Sequence, residues 1–308
     1  MKNNNLVMMS STTVSNSQLE EANDRDLKKK FFPKGISLVA NGINNLHKIS
    51  PFASSRLTMF LLSIGVRKRI KNEDAQFYQK GRKQVFVFKN KKFNVYSYGS
   101  GPKILFIHGW ASNGARWKNH VDKIVAKGFT AVVVDAPAQG TSKGLLLSIP
   151  DYIQCIKTVL EDSENWYGIV SHSIGSLVGV IAASKSKRQF DKLKIVMMCT
   201  FSDCDALMTK YARCMGIAEY VLTHTKNSID KIYDEPLSNF SLMHHFKQLN
   251  ADGFLLYNSH DIVVPAVEVF KIRRALPSLR FFETSEGGHN LRSEVVEDKV
   301  AEFFLIGF

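Results

Sequence analysis

Cysteine and long apolar runs are scarce in this chain of 308 residues. Its four cysteines form no Cys-x-x-Cys pair and lie at no metal-binding spacing from a histidine. We therefore expect reduced thiols, with neither disulfides nor a metal or other cofactor. The longest apolar run, Leu57 to Val66, is shorter than the roughly 18 residues of a transmembrane helix, and Leu6 to Met9 is too short for the core of a secretion signal. These absences predict a cytoplasmic protein.

Acidic residues are also in the minority. The chain has 41 Lys and Arg against 28 Asp and Glu, which gives a net charge of +13 and an isoelectric point near 9.5. Such an excess favours anionic partners, whether nucleic acid, a membrane surface or an acidic substrate. The sequence has no nucleic-acid-binding motif, so we do not expect nucleic acid as a partner. Many of the basic residues fall early in the chain, at Lys28–Lys30 and between Arg67 and Lys71.

Composition divides the chain into three parts. Residues 1–27 are rich in Ser, Asn and Thr and are predicted to be disordered. Residues 28–80 form a predicted helical extension, in which Pro33 and Pro51 are candidate helix starts. Residues 81–308 alternate between strand-like and helical patterns, which indicates one α/β domain.

The helical extension allows two interpretations. Its apolar run between basic borders suits a helix lying in the surface of an anionic bilayer. Alternatively, the segment packs on the following domain and leaves its lysines in water. Gly65 and the serines of this segment weaken its apolar face. We therefore favour packing and keep peripheral membrane contact as the alternative.

Short apolar runs, each followed by a polar or Gly-rich loop, recur after residue 103. They are Ile104–Ile107, Ala131–Val134, Trp166–Val170, Lys194–Cys199, Phe254–Tyr257 and Leu279–Phe282. Such runs predict a parallel sheet that is covered on both faces, with its chemistry at the carboxyl ends of the strands. A predicted hairpin of residues 84–89 and 93–98 supplies an antiparallel edge.

The most informative motif is Ser171-His172-Ser173-Ile174-Gly175, between a predicted strand and a predicted helix. It is a G-x-S-x-G pattern whose first glycine is replaced by serine. Small residues two positions on either side of Ser173 permit a sharp strand-to-helix turn. That turn would raise the Ser173 hydroxyl above the sheet, at the positive end of a helix. The motif predicts a nucleophilic serine.

With this motif, the chain resembles the α/β-hydrolase family over about residues 82–308. The matching pieces occur in the family's order: His108-Gly109, the loop from Asp135 to Gly140, Ser173, Asp261, and His289 after Gly287-Gly288. The resemblance implies an α/β-hydrolase fold, with a mostly parallel central sheet, helices on both faces and a helical cap. The alternation of elements stops at about 200–252, where the family inserts its cap.

The resemblance also implies a catalytic triad of Ser173, Asp261 and His289. His289 would take the proton from the serine hydroxyl, and Asp261 would orient the imidazole. Asp203 and Asp205, which follow the preceding strand, are the alternative acids. Asp135 is expected to be structural, because its oxygens can accept hydrogen bonds from nearby backbone amides.

The same resemblance assigns the oxyanion hole to the backbone amides of Trp110 and Ile174. The segment His108-Gly109-Trp110, followed by Trp117, is similar to that of bacterial carboxylesterases, including those that cleave pimeloyl methyl ester. A serine at position 173 distinguishes the chain from the branches of the α/β-hydrolase family that use a carboxylate as nucleophile. The expected function is therefore a serine hydrolase acting on a carboxylic ester or thioester. A carbon–carbon bond hydrolase and a non-enzymatic binding or scaffold protein are the alternatives.

Overall fold

The computed structural model describes residues 23–29, 32–65, 67 and 70–306. Its centre is an eight-stranded sheet with the order β1-β2-β4-β3-β5-β6-β7-β8. The strands are β1 (Arg82–Phe88), β2 (Lys91–Tyr98), β3 (Lys103–Ile107), β4 (Thr130–Asp135), β5 (Trp166–His172), β6 (Leu193–Met198), β7 (Ala251–Asn258) and β8 (Arg280–Thr284). Strand β2 is antiparallel to β1 and β4, and all other neighbouring pairs are parallel. The predicted hairpin is therefore the antiparallel edge.

Helices cover both faces of the sheet. They are α1 (which contains residues 23–29), α2 (Ile36–His47), α3 (Pro51–Ser63), α4 (Asn72–Lys80), α5 (Lys118–Ala126), α6 (Ile149–Glu161), α7 (Ile174–Ser184), α8 (Cys204–Met215), α9 (Glu219–Tyr233), α10 (Leu242–Phe246), α11 (Ala266–Ala275) and α12 (Glu294–Leu305). Helices α5 and α12 pack together in one core, and α6, α7 and α10 in the other. Because both faces are covered, every residue of β4 and β6 is buried.

The connection between β6 and β7 carries the helical insert predicted at residues 200–252. Helices α8 and α9 share a cavity with Trp110 and Ile174 and therefore form a cap over that end of the sheet. Helix α10 instead packs against α7 on a face of the sheet. The part of the insert that covers the site thus ends before α10.

The N-terminal extension packs on this cap. Helix α3 lies against α9, and α2 contacts both α3 and α8. Asn44 fixes the turn between α8 and α9: its Nδ2 donates to Gly216 O at 2.9 Å, and Ala218 N donates to its Oδ1 at 2.9 Å. Further along, α3 ends at Ser63, so the predicted apolar helix stops before Gly65; Val66 lies outside the described residues.

The prediction of disorder through residue 27 was wrong for residues 23–27, which are helical. Leu27 is fully buried, and Asp24 pairs with Lys210 and Arg213 of α8, each at 2.5 Å. Local composition does not reveal such partners, because they lie almost 190 residues away. Residues 1–22 lie outside the described part of the chain. Among the described helices, none is long and apolar enough to cross a bilayer.

We predict that Asn44→Ala lowers the free energy of unfolding by about 1–3 kcal/mol, because it removes two hydrogen bonds between the extension and the cap. Chemical denaturation measures this change. Asn45→Ala is the matched control, since the Asn45 side chain is exposed in the same helix. Equal losses for the two variants would contradict the role given to Asn44.

Candidate active site

Ser173 lies on a strained turn between β5 and α7. Its backbone has φ 55° and ψ −129°, a conformation that is costly for a residue with a side chain. The surrounding structure holds this turn: Ser173 N donates to Met198 O of β6 at 2.8 Å, and Ser176 N donates to Ser173 O at 2.9 Å. Strand β5 is central in the sheet, so the strain is stored in a rigid part of the molecule.

Gly175 and Ser171, on either side of Ser173, are small for different structural reasons. A Cβ at Gly175 would lie 2.6 Å from His108 O, so α7 could not approach β3 with any other residue there. Ser171 replaces the usual glycine on the other side. Its hydroxyl donates to Val196 O of the next strand at 2.9 Å, which explains why a buried serine is tolerated.

His289 and Asp261 are brought together by the loops after β8 and β7. His289 Nδ1 lies 2.7 Å from Asp261 Oδ2. The other oxygen, Oδ1, accepts from Val263 N at 2.8 Å and Val264 N at 3.2 Å. Since a carboxylate only accepts, Nδ1 carries a proton, and in the neutral form of the ring Nε2 keeps the lone pair. Burial alone raises the pKa of Asp261. The charge and hydrogen bond of His289, together with the two backbone amides, lower it by more, so that the pKa of Asp261 is below its usual range.

The alternative acids are engaged elsewhere. Asp203 Oδ1 accepts from Ala206 N at 2.7 Å and so caps α8, while Asp205 pairs with Lys226 at 2.8 Å. Asp135 is fully buried, and its carboxylate accepts from Tyr78, Gly114 and Thr141. The expectation that Asp135 is structural is confirmed.

Cys199 is a neighbour of the acid that the sequence analysis did not find. Ligand atoms of Cys199, Asp261 and His289 lie within 4.8 Å of one another, an arrangement that could in principle hold a metal ion. Burial and the charge of Asp261 raise the pKa of the thiol well above its usual value. A neutral thiol can donate a hydrogen bond to Asp261, which suits a supporting role for that carboxylate.

Two buried side chains hold the segment 287–291, which we call the histidine loop. His172 Nε2 lies 2.7 Å from His289 O; a carbonyl only accepts, so His172 donates. Burial lowers the pKa of His172 well below its usual value and keeps the ring neutral. Arg116 Nη2 donates to the next carbonyl, Asn290 O, at 3.0 Å. The sequence analysis did not predict either role.

Arg116 is an unusual residue for this position. It is 8% exposed, its guanidinium lies 4.6 Å from the centre of the Trp117 ring, and within the described part of the chain its buried Nε has no hydrogen-bond partner. Burial, followed by the nearby charge of Arg292, lowers the pKa of Arg116 to about 9. The side chain stays cationic near neutral pH, so its bond to Asn290 is charge-assisted.

The loop after β3 packs against the turn between β5 and α7 at Ser173, which we call the elbow. A Cβ at Gly109 would lie 3.0 Å from Ser173 Cβ. His108 positions this loop: its Nδ1 donates to Gly109 O at 2.7 Å, and its Nε2 accepts from Ala136 N at 3.1 Å. The amide of Trp110 therefore follows directly on the closest approach to Ser173, and the amide of Ile174 begins α7.

Two adjoining cavities meet at Trp110, Tyr211 and Leu62. The first, which we call the nucleophile cavity, is lined by Ser173, His289, Arg116 and residues of α2 and α3. The second, the apolar slot, extends under the cap over about 830 Å³, open space at its mouth included. Its lining includes Ile174, Leu207, Met208, Ile229 and Phe240. The mostly apolar lining of the slot suits an apolar group.

The strand order and the strand–turn–helix elbow define the α/β-hydrolase fold. Two solved structures share it. An esterase of Pyrococcus furiosus aligns with a TM-score of 0.57 at 17% identity, over 79% of this chain and 97% of that one. The thioesterase domain from the curacin biosynthetic pathway gives 0.52 at 15% identity, over 73% and 99%. The predicted fold class is confirmed.

Sequence similarity is restricted to part of the chain. A pimeloyl-[acyl-carrier protein] methyl ester esterase of Vibrio parahaemolyticus is 33% identical over 97 residues, which are 32% of this chain and 37% of that protein. The chain matches about a third to a half of the length of such curated relatives. No family model matches the chain.

We predict that Arg116→Met loosens the histidine loop. The variant removes a charge-assisted donor, so the amides of residues 287–291 should exchange with solvent about tenfold faster or more. Hydrogen exchange followed by mass spectrometry reports this directly. Arg188→Met, at an arginine that pairs with Glu164 on the surface, is the control and should leave the loop unchanged. An unaltered exchange rate in Arg116→Met would show that the arginine does not hold the loop.

Proposed function

We propose that the protein is a serine hydrolase that cleaves a carboxylic ester or thioester through an acyl-enzyme intermediate. Ser173 is the nucleophile, His289 the general base and Asp261 the acid that orients it. The observation that carries the proposal is the 2.7 Å bond between His289 Nδ1 and Asp261 Oδ2, next to a serine on a strained elbow in the same cavity. This combination supplies both an activated nucleophile and an oriented base.

The reaction follows from these positions. Ser173 Oγ attacks the carbonyl carbon of the substrate while His289 Nε2 takes the hydroxyl proton. The negative charge on the carbonyl oxygen is stabilised by the amides of Trp110 and Ile174, each worth about 3 kcal/mol in the transition state. The proton then passes to the leaving oxygen or sulfur, and the acyl group remains on Ser173. Water, deprotonated by His289, attacks the acyl-enzyme and releases the acid.

The apolar slot favours an acyl chain as the group that is bound. It opens next to Ile174, where the acyl carbon would lie, and its walls are mostly apolar. The names of the relatives agree with this, because one acts on a pimeloyl methyl ester and a structural neighbour is a thioesterase. We therefore propose a neutral acyl chain of short to medium length as the substrate of this chain.

Ser173→Ala should fold normally and lose several orders of magnitude of esterase activity, leaving the remnant that oxyanion stabilisation and binding provide. Hydrolysis of p-nitrophenyl butyrate measures the loss. Ser112→Ala is the control, because Ser112 lines the same cavity but lies outside the turn between β5 and α7. Retention of a tenth of the activity by Ser173→Ala would rule out the proposed nucleophile.

Asp261→Asn should lower kcat by about 10³- to 10⁴-fold, because an amide in place of the carboxylate favours the wrong tautomer of His289. Asp203→Asn and Asp205→Asn should each stay within about threefold of the parent protein, since their partners lie away from His289. Steady-state kinetics on one soluble ester compares all three. The reverse ranking would move the acid to the end of β6.

A series of ester substrates with increasing acyl chain length tests whether the apolar slot binds the acyl group. Each buried methylene contributes about 0.8 kcal/mol, so kcat/KM should climb with chain length until the slot is full. Met208→Trp should shift the optimum to shorter chains because Met208 lines the slot, whereas Met243→Trp, elsewhere in the insert, should not. A flat series from acetate to octanoate would show that the slot does not bind the acyl group.

A further inference from the structure

Helix α3 buries small polar residues and exposes several large apolar ones, unlike the usual helix on a protein surface. Its fully buried residues are Ser54, Ser55 and Thr58. Three of its large apolar residues point outward: Phe52 is 68% exposed, Phe60 is 53% exposed and Leu57 is 46% exposed. The usual surface helix buries its apolar stripe and exposes its polar one. A prediction of the buried face from spacing alone would therefore choose the wrong side of α3.

The buried face has no need of large side chains. The hydroxyls of Ser54 and Ser55 donate to Pro51 O, and that of Thr58 donates to Ser54 O, each at 2.9 Å. These hydroxyls are thus satisfied within the helix, and small side chains let a neighbouring helix approach closely, as in membrane proteins. Helix α9 occupies this position. The outward apolar residues are consequently additional to the packing of the cap.

The exposed apolar surface continues beyond α3. On α2 and the following turn, Leu38 is 77% exposed and Ile49 is 85% exposed. We call the set Leu38, Val39, Ile49, Phe52, Leu57 and Phe60 the outer surface of α2–α3. Several large apolar side chains exposed on two adjoining helices mark an interaction site more often than chance.

The segment that carries this surface has charges of one sign. Residues 27–72 contain ten Lys and Arg and no Asp or Glu, out of a net charge of +13 for the whole chain. Within the surface itself, the guanidinium of Arg56 lies 5.6 Å from the centre of the Phe52 ring, and Lys48 is exposed beside Ile49. Apolar side chains interspersed with cations match the composition of a helix that lies in the interface of an anionic bilayer.

We propose that the outer surface of α2–α3 docks on an anionic lipid bilayer, with its apolar side chains in the interface and its basic groups at the headgroups. A second copy of the chain is a poorer occupant, because it would bring two surfaces of the same positive sign together. The inner side of the same segment packs on the cap and lines the nucleophile cavity through Ile36, Leu61 and Leu62. Packing and membrane contact thus involve opposite faces of one segment, and docking does not depend on the proposed hydrolysis.

Sedimentation with sucrose-loaded vesicles tests the proposal on the full chain. The protein should pellet with vesicles of phosphatidylglycerol and phosphatidylcholine in equal parts, less so at high salt, and weakly with phosphatidylcholine alone. The double variant Phe52→Ser/Phe60→Ser should reduce partitioning by about tenfold or more, because two aromatic anchors are lost. Val267→Ser/Phe270→Ser is the matched control, since both residues are exposed apolar side chains on α11.

A second pair of variants tests the contribution of charge. Lys48→Gln/Arg56→Gln should weaken pelleting with the anionic vesicles. Lys127→Gln/Lys247→Gln, which changes two exposed lysines elsewhere, is its control. Thermal melting establishes that each variant is folded. The proposal is overturned if the parent protein does not pellet, or if Phe52→Ser/Phe60→Ser pellets as the parent does. It is equally overturned if the parent is a dimer that binds no vesicle and that Phe52→Ser/Phe60→Ser makes monomeric, because the second copy would then be the occupant.

Discussion

The positive φ of Ser173 is the constraint on which the rest of the site depends. It lets the chain leave β5 and enter α7 at once, so that Ser173 lies between the end of the strand and the first turn of the helix and lines the nucleophile cavity. The turn persists because Met198 of β6 accepts a hydrogen bond from Ser173 N and because Gly175 admits the His108 carbonyl at close range. A strained conformation survives only where the surrounding structure over-determines it. Here the residues on both sides of the turn, from Gly168 to Ala183, are buried.

The second requirement is that the histidine loop, which is distant in sequence, lies in a fixed position beside this turn. The histidine loop is held at two successive carbonyls, by His172 from the elbow and by Arg116 from the loop after β3. The turn at Ser173 and the loop after β3 therefore each position the segment that carries His289. This coupling explains a buried arginine, which a stability argument alone would disfavour because burial of an unpaired charge costs several kcal/mol. The site is thus one connected unit built from four loops.

The sequence predicted the features that depend on neighbouring residues, but not those that depend on contacts between residues distant in sequence. Strands, elbow and cap position follow from local patterns: apolar runs of four or five residues, a small-x-Ser-x-Gly turn and a break in the alternation. His172, Arg116 and Cys199 gained their contacts from residues about 60 to 175 positions away, and no local pattern encodes those distances. The helix at residues 23–29 was missed for the same reason. In α3 the spacing of Phe52 and Phe60 was informative, but spacing does not say whether a stripe faces inward or outward; the hydroxyls that bond within the helix decide that.

The central claim is that Ser173 is an activated nucleophile, and covalent labelling tests it most directly. The full-length protein would be treated with a fluorophosphonate at neutral pH, digested and mapped by mass spectrometry. The account predicts one adduct, on Ser173, whose formation is strongly slowed by His289→Ala, because the hydroxyl needs the imidazole to take its proton. An unlabelled protein, or an adduct on a serine other than Ser173, would contradict it.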